Sequence, residues 1–384
     1  MRQARTVLST YSADTFGVCS GLYELGGMIV MHDASGCNST YSTHDEPRWY
    51  QSDSLVFISG LTEMDAIMGN DEKLKEDILS AVSELHPKFV AIAGTPIPMM
   101  NGFDFEAVAK EIESEAGIPV FGFSTNGMRS YLCGASEALE KYAERMVKRN
   151  VSKEKKTLNI LGATPLDFSL SGTVESVKKL LSENGWEVLS TFAMGSTAEE
   201  IANAGKASVN LVISGVGMKS ARRLNSIFET PYVIGTPVGK LFAESILEAL
   251  AHSAEDGQNR IAFSDFIPQQ NEEFLMIGES IISRSLAAAV FMETGRMPVV
   301  VYPLEKIPEL DGILSERDIY AMEEEEISLA CRNAKTVIAD PLYKPVLPHG
   351  CRFIPLPHEA FSGRIFRRGI PDLTEIDVKE MMGE

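Results

Sequence analysis

Apolar and polar positions along the chain alternate between two periods. Short continuous apolar runs at 28–31, 89–93, 119–123, 158–161, 211–213, 232–234, 298–302 and 336–339 have the length of buried strands. Two further runs, 186–189 and 353–356, have the same character. Between them lie stretches with helical spacing. In 72–85, Ile78, Val82 and Leu85 recur on one face, and 105–116, 174–183 and 279–293 follow the same rule, with Gly185 as a stop signal after the third. Strands alternating with helices at this spacing predict parallel sheets of the doubly wound type. The pattern restarts after the charged linker 148–156 and again after Asp256-Gly257-Gln258. The fold class expected is therefore α/β, with three Rossmann-like domains at 1–153, 154–257 and 258–384 around a central cleft. In such sheets ligands bind beyond the carboxyl ends of the strands, so the loops after the strands are where chemistry is sought.

Composition narrows the function. The 384 residues are 44% hydrophobic, enough for several buried cores, and carry a formal net charge of -19. No long Lys/Arg cluster stands out, which argues against nucleic acid as a partner. The acidity reads either as solubility or as a surface that steers a basic protein. The basic segment at 1–11 is not followed by an apolar core, and no apolar run approaches the roughly 20 residues of a membrane span. A cytoplasmic protein with no membrane association is expected. Five cysteines, Cys19, Cys37, Cys133, Cys331 and Cys351, are too few and too scattered for a disulfide framework. Cys331 sits at an apolar position of a helical pattern and reads as core. The run Glu323–Glu326 reads as a solvated helix face.

Four segments are candidates for chemistry. In His32–Glu46, a strand end delivers Cys37 in a loop of small residues, where Gly36 permits close backbone approach and Ser35 and Ser39 offer hydrogen bonds to sulfur. Such a loop can wrap a metal cluster; the alternative is a small buried cysteine at a tight turn. Cys19 lies in the Gly/Ser-rich segment before that strand. Two thiolates are too few for a cubane cluster, and a symmetric dimer would double them. The segment Gly235 to Leu241 imitates a phosphate loop but is one residue short between its glycines, and Leu241 occupies the place of the Mg-binding hydroxyl, so this chain binds no ATP there. His358, just after a predicted strand and followed by Ser362-Gly363, can ligate a metal or donate a proton; a solvent-exposed capping histidine is the alternative.

Together these segments resemble the nitrogenase component 1 superfamily. His32 to Gly36 with Cys37 and Tyr41 is similar to that family's V-H-G-x-x-G-C-x-x-Y loop, with Asp33 in place of the glycine and Tyr41 one residue late. His44 to Pro47 resembles its R-E-P segment, and Leu61 to Gly69 its T-E-x-D-x-x-x-G stretch. Gly94-Thr95 matches the T-T-C turn, and His358 with Phe361-Ser362-Gly363 resembles H-x-x-x-Y-S-G. The resemblance implies a cluster at a subunit interface, with three cysteines from this third of the chain. Here the middle one is kept as Cys37. The first falls near Ser12, with Asp14 and Cys19 close by, and the third near Pro96. The family's cofactor cysteine in the middle domain has no counterpart in 214–225. The implied cofactor is therefore an iron–sulfur cluster of the [4Fe–4S] kind, ligated by Cys37 with Cys19, Ser12 or Asp14, and shared across a homodimer or with a similar chain. Ser35 and Gly36 would cradle it, and His358, Ser362 and Gly363 would lie near the substrate, with His358 catalytic. The implied electron donor is a separate ATP-hydrolysing iron protein, and the implied activity is reduction of a substrate of unknown identity. A non-catalytic scaffold or carrier for a metallocofactor is the other reading.

Overall fold

The computed structural model describes all residues except 1–5, 35, 37, 39–44, 70, 267–270 and 384. Three parallel sheets carry the chain. The first has β1 (Met28–Met31), β2 (Leu55–Ile58), β3 (Val90–Ala93) and β4 (Val120–Phe123), in the order β2-β1-β3-β4. The second has β5 (Thr157–Leu161), β6 (Glu187–Thr191), β7 (Val209–Val212), β8 (Tyr232–Ile234) and β9 (Arg260–Ile261), in the order β6-β5-β7-β8-β9. The third has β10 (Asn271–Ile277), β11 (Pro298–Tyr302), β12 (Ile319–Tyr320), β13 (Thr336–Ala339) and β14 (Arg352–Pro355), in the order β12-β11-β10-β13-β14. The α/β class with parallel sheets is as the alternation predicts. Central strands such as β3, β7 and β13 are buried at every position, because helices cover both faces of a parallel sheet.

Four strands escaped the pattern: β2, β10 and the two-residue edge strands β9 and β12. β2 is an edge strand with only Val56 fully buried, so its run of apolar residues is short and mixed. β10 is the central strand of the third sheet, yet its first three residues are exposed and only Phe274 to Ile277 are buried. The acidic run near 324 is also more than a solvated face. Glu324 accepts the backbone N–H groups of Thr6, Val7 and Leu8 and so pins the N-terminal segment, while Glu323 and Glu326 form a capping box on the helix Glu324–Cys331. Cys331 is fully buried, as expected.

One helix crossing is packed within the first unit, and one C-terminal segment joins the second and third. The helix Asp14–Leu22 crosses the helix Tyr131–Met146 with glycines at the contact: a Cβ at Gly134 would lie 1.8 Å from the Asp14 carbonyl oxygen. The C-terminal segment then runs back across the second sheet's helices. The Leu373 N–H donates to Thr173 Oγ1 at 3.0 Å, the Gly239 N–H donates to the Leu373 carbonyl at 3.0 Å, and the Ser176 hydroxyl donates to Asp372 at 2.5 Å. The Gly235–Lys240 turn is thus a strand-to-helix turn that meets backbone. The helix Val378–Met382 then packs on the helix Ser280–Thr294 of the third sheet. The segment therefore straps the second and third units together.

Candidate active site between the second and third sheets

In each sheet the strand order reverses beside the first strand, and the reversal opens a crevice at the carboxyl ends. In the second sheet, β5 leads to Thr164 and Asp167 and β7 leads to Ser214 and Gly215. In the third, β10 leads to Gly278 and Glu279, β13 to Asp340, and β14 to His358. These residues face one another across the seam between the two sheets. Asp167, Gly278, Glu279, Asp340 and His358 line a cavity of about 30 Å³ with Phe168, Ile282, Phe361 and Leu373 as its apolar wall. That volume holds about two water molecules.

Asp340 fixes the turn that presents His358. It accepts the His358 N–H at 2.7 Å, the Ser362 hydroxyl at 2.8 Å and the Leu342 N–H at 2.7 Å. Ser362 thus serves the turn, and Gly363 follows it at φ 58, a conformation that favours glycine. The His358 ring stacks on Phe361 with centroids 4.3 Å apart. It is 8% exposed, yet neither ring nitrogen has a hydrogen-bond partner. Nε2 stands 3.6 Å from Asp167 Oδ1, beyond hydrogen-bond length. Leaving such buried groups unpartnered is costly, and the adjoining cavity has room for water or a small ligand to bond them.

Asp167 is held as an acceptor. Tyr131 donates its phenol to Oδ1 at 2.5 Å, and the hydroxyls of Thr164 and Ser214 donate to Oδ2 at 2.7 and 2.9 Å. Burial, and then the charges of Asp167 and Glu279, push the Tyr131 phenol well above its ordinary range, so it remains a donor. Glu279 caps the helix Ser280–Thr294, accepting the N–H groups of Ile281 and Ile282 at 3.0 and 2.9 Å and that of Gly215 at 3.1 Å. Burial, and then the charge of Asp167, push its carboxyl up to about 7. A histidine beside a fully hydrogen-bonded carboxylate, with a second carboxyl that titrates near neutrality, is a set that can give and take protons. Sequence reasoning singled out His358, Ser362 and Gly363 but missed Asp167, Glu279 and Tyr131. Their only local signals were a Thr-x-x-Asp cap after β5 and a Gly-Glu-Ser cap after β10.

The other candidate region lies at the carboxyl end of the first sheet. Ser35, Cys37 and Tyr41 fall outside the described residues, and among the described residues nothing lies within 4 Å of a Cβ built on Gly36. Cys19 is fully buried on the helix Asp14–Leu22, and burial raises its thiol, with the charge of Glu46 adding to the effect. Asp14 accepts the N–H of Thr15 at 2.9 Å, those of Asn126 and Gly127, and the Arg129 guanidinium at 3.1 Å. Ser12 uses its backbone, donating to Ala360 and accepting from Tyr131. Asp33, which replaces the family's glycine, is 2% exposed; its Oδ2 accepts the Asn38 amide at 2.5 Å and its Oδ1 has no partner. Pro96 opens the helix Pro96–Met100. Among the described residues no three His, Cys, Asp or Glu side chains are placed to hold a metal ion. The described residues of one chain therefore do not complete a cluster ligand set.

The family model described as nitrogenase component 1 type oxidoreductase matches residues 25–302. The chain belongs to that family. It is 31% identical over 179 residues to the nitrogenase iron-molybdenum cofactor biosynthesis protein NifE of Clostridium pasteurianum, covering 46% of this chain and 38% of that protein. It is 25% identical over 229 residues to a light-independent protochlorophyllide reductase subunit of Nostoc punctiforme, covering 57% of this chain and 44% of that one. The chain thus spans less than half the length of these curated relatives. A solved structure titled "Nitrogenase Cp1 at pH 6.5" superposes with a TM-score of 0.66 at 16% identity, covering 100% of this chain and 91% of that one. This likeness establishes the fold. The family holds reductases and a cofactor-biosynthesis protein alike. Among the described residues no helix is long and apolar enough to cross a membrane.

Proposed function

We propose that this chain is a reductase subunit in which His358 delivers protons to a small substrate held at the seam. The observation that carries this reading is the buried His358 ring, both nitrogens unpartnered, facing Asp167 across the cavity. Asp167, held as an acceptor by Tyr131 and the two hydroxyls, faces the ring, and Glu279 supplies a second exchangeable proton. The apolar wall leaves room for only about two waters, so these groups are the main route for protons to the substrate. A cavity of about 30 Å³ favours a small unsaturated or sulfur compound over a tetrapyrrole, which would need the seam to open.

Electrons would come from a separate ATP-hydrolysing iron protein. We offer as its docking face the exposed apolar rim of the first sheet, where Met64, Ile67, Met68 and Met100 are 67 to 84% exposed. The helices that carry them are joined by the Asn101 amide donating to the Ala66 carbonyl. An iron–sulfur cluster, which supplies single electrons when bound, would be ligated by Cys37 and shared with a second copy of this chain or a similar partner, as a [4Fe–4S] cluster. Cys19 and Asp14 would have to leave the contacts described above to join it. No step of the proton chemistry runs through the cluster.

The test is anaerobic purification with iron and sulfide analysis, followed by ATP-dependent reduction with an iron protein. A brown protein whose reduced EPR signal depends on Cys37 supports the reductase. A wild type that carries no iron even after reconstitution overturns it in favour of the scaffold.

A further inference from the structure

Beside the His358–Asp167 contact runs a second polar bridge across the same seam. Ser169, two residues after Asp167, donates its hydroxyl to Glu359 Oε2 at 2.8 Å. Glu359, next to His358, accepts Arg367 Nε at 2.9 Å and Nη2 at 2.6 Å. Arg367 Nη2 also donates to the Asp45 carbonyl at 3.1 Å. Ser169 and Glu359 are buried, at 2% and 3% exposure. The serine adopts φ 50, ψ -142, a region that favours glycine. A non-glycine residue persists there only when its surroundings over-determine it, and here the Glu359 bond and the Ser169 N–H to the Pro165 carbonyl at 2.8 Å do so.

We propose that Ser169, Glu359 and Arg367 form a positioning clamp that sets the spacing of His358 from Asp167. The inference rests on the acid–base reading of the seam. The clamp joins the residue after His358 to the residue two beyond Asp167, so a change in its length moves the imidazole against the carboxylate. It also ties that spacing to the loop at Asp45 through a charge-assisted, two-pronged bond. None of the three lines the cavity, so they act through His358 and are not catalytic residues.

The test is an NMR titration of His358 with labelled imidazole, its signal assigned by loss in His358→Gln. The ionisable groups around the ring are Asp167, Tyr131, Glu279, Asp340 and the neighbouring Glu359, and the clamp variants leave the first four in place. Glu359→Gln and Ser169→Gly loosen the clamp, and glycine adopts the Ser169 backbone freely, which guards against a failure to fold. Both variants should move the His358 titration away from the wild type's as the ring drifts from the carboxylate. Arg367→Lys should fall between them and the wild type. Asp167→Asn separates the clamp from the dyad it positions. If it lowers the midpoint while Glu359→Gln and Ser169→Gly leave it unchanged, the clamp is refuted and the dyad stands. If Asp167→Asn leaves the midpoint unchanged, the acid–base reading falls, and the clamp with it.

Discussion

Gly134→Ala adds one methyl group at the crossing of the first helix and the helix Tyr131–Met146. The new Cβ would lie 1.8 Å from the Asp14 carbonyl oxygen and 2.6 Å from its carbon, both backbone atoms that cannot rotate away. An ordinary carbon–oxygen contact is about 3.3 Å, so the helices must part by roughly 1.5 Å. The opposing effect is intrinsic: alanine favours a helix interior over glycine by about 1 kcal/mol. Overpacking of this kind costs about 1–3 kcal/mol and sometimes more, and a backbone clash belongs at the upper end. The net expectation is a loss of about 2 kcal/mol. Gly21→Ala, in the same helix pair, is the control. There the new methyl meets Leu139 at 3.6 Å and Ala135 at 3.7 Å, ordinary contacts, so propensity should prevail and stability rise by up to about 1 kcal/mol. Urea unfolding followed at Trp49 reads both variants, with Trp186 of the second unit as a second probe. A Gly134→Ala midpoint equal to or above the wild type would refute the described packing.

Further expectations concern protonation and metal. Burial holds the His32 imidazole down at about 4, and its unfolded value is about 6.5. The unfolded chain therefore takes up the proton first as pH falls, so stability present above pH 6.5 is lost towards pH 4, by on the order of 3 kcal/mol at most. His32→Gln should flatten that slope in urea midpoints measured against pH. Glu279 has the opposite sign. With its carboxyl pushed up to about 7 from 4.5, its contribution is present below pH 4.5 and is lost as pH rises through 7. Glu279→Gln should remove that decline, and an unchanged decline would mean that another group titrates there. Because Cys19 is fully buried on the helix Asp14–Leu22, Cys19→Ala should keep whatever iron the wild type binds, whereas Cys37→Ala should lose it, as metal analysis would read.

Most of the fold was legible because buried parallel strands are continuous apolar runs. Val299 to Val301 or Val337 to Ala339 admit little else. β10 was not, because a central strand that starts at the exposed Asn271, Glu272 and Glu273 looks like a helix entry until its partners are known. The seam was legible from one side only. His358 follows its strand directly and announces itself. Asp167, Glu279 and Tyr131 come from three other elements, and in sequence each reads as a helix cap or a core aromatic. Their convergence is a product of where the strand orders reverse, which no local pattern encodes. The acidic run at 324 is the solvated helix face the sequence suggests, but its bonds to Thr6 to Leu8 were not legible, because those partners lie at the far end of the chain.

The strap at 371–383 forms one side of the cavity of about 30 Å³. Leu373 and Thr173 are 200 residues apart in sequence, so their bond closes only after both sheets exist, and it can break without unfolding either. Hydrogen bonds to Thr173, Ser176, Pro237 and Gly239 and the buried side chains of Val378 and Met382 hold the segment, and Leu373 is itself part of the cavity wall. Its release would open the seam from the side while Asp340 still holds the His358 turn. Amide hydrogen exchange should reveal this as a local opening: the amides of Gly239 and Leu373 should exchange together, and ahead of those in β5, β7 and β13. The chain would then have its own entrance, hinged on the backbone and set by the free energy of detaching one short segment.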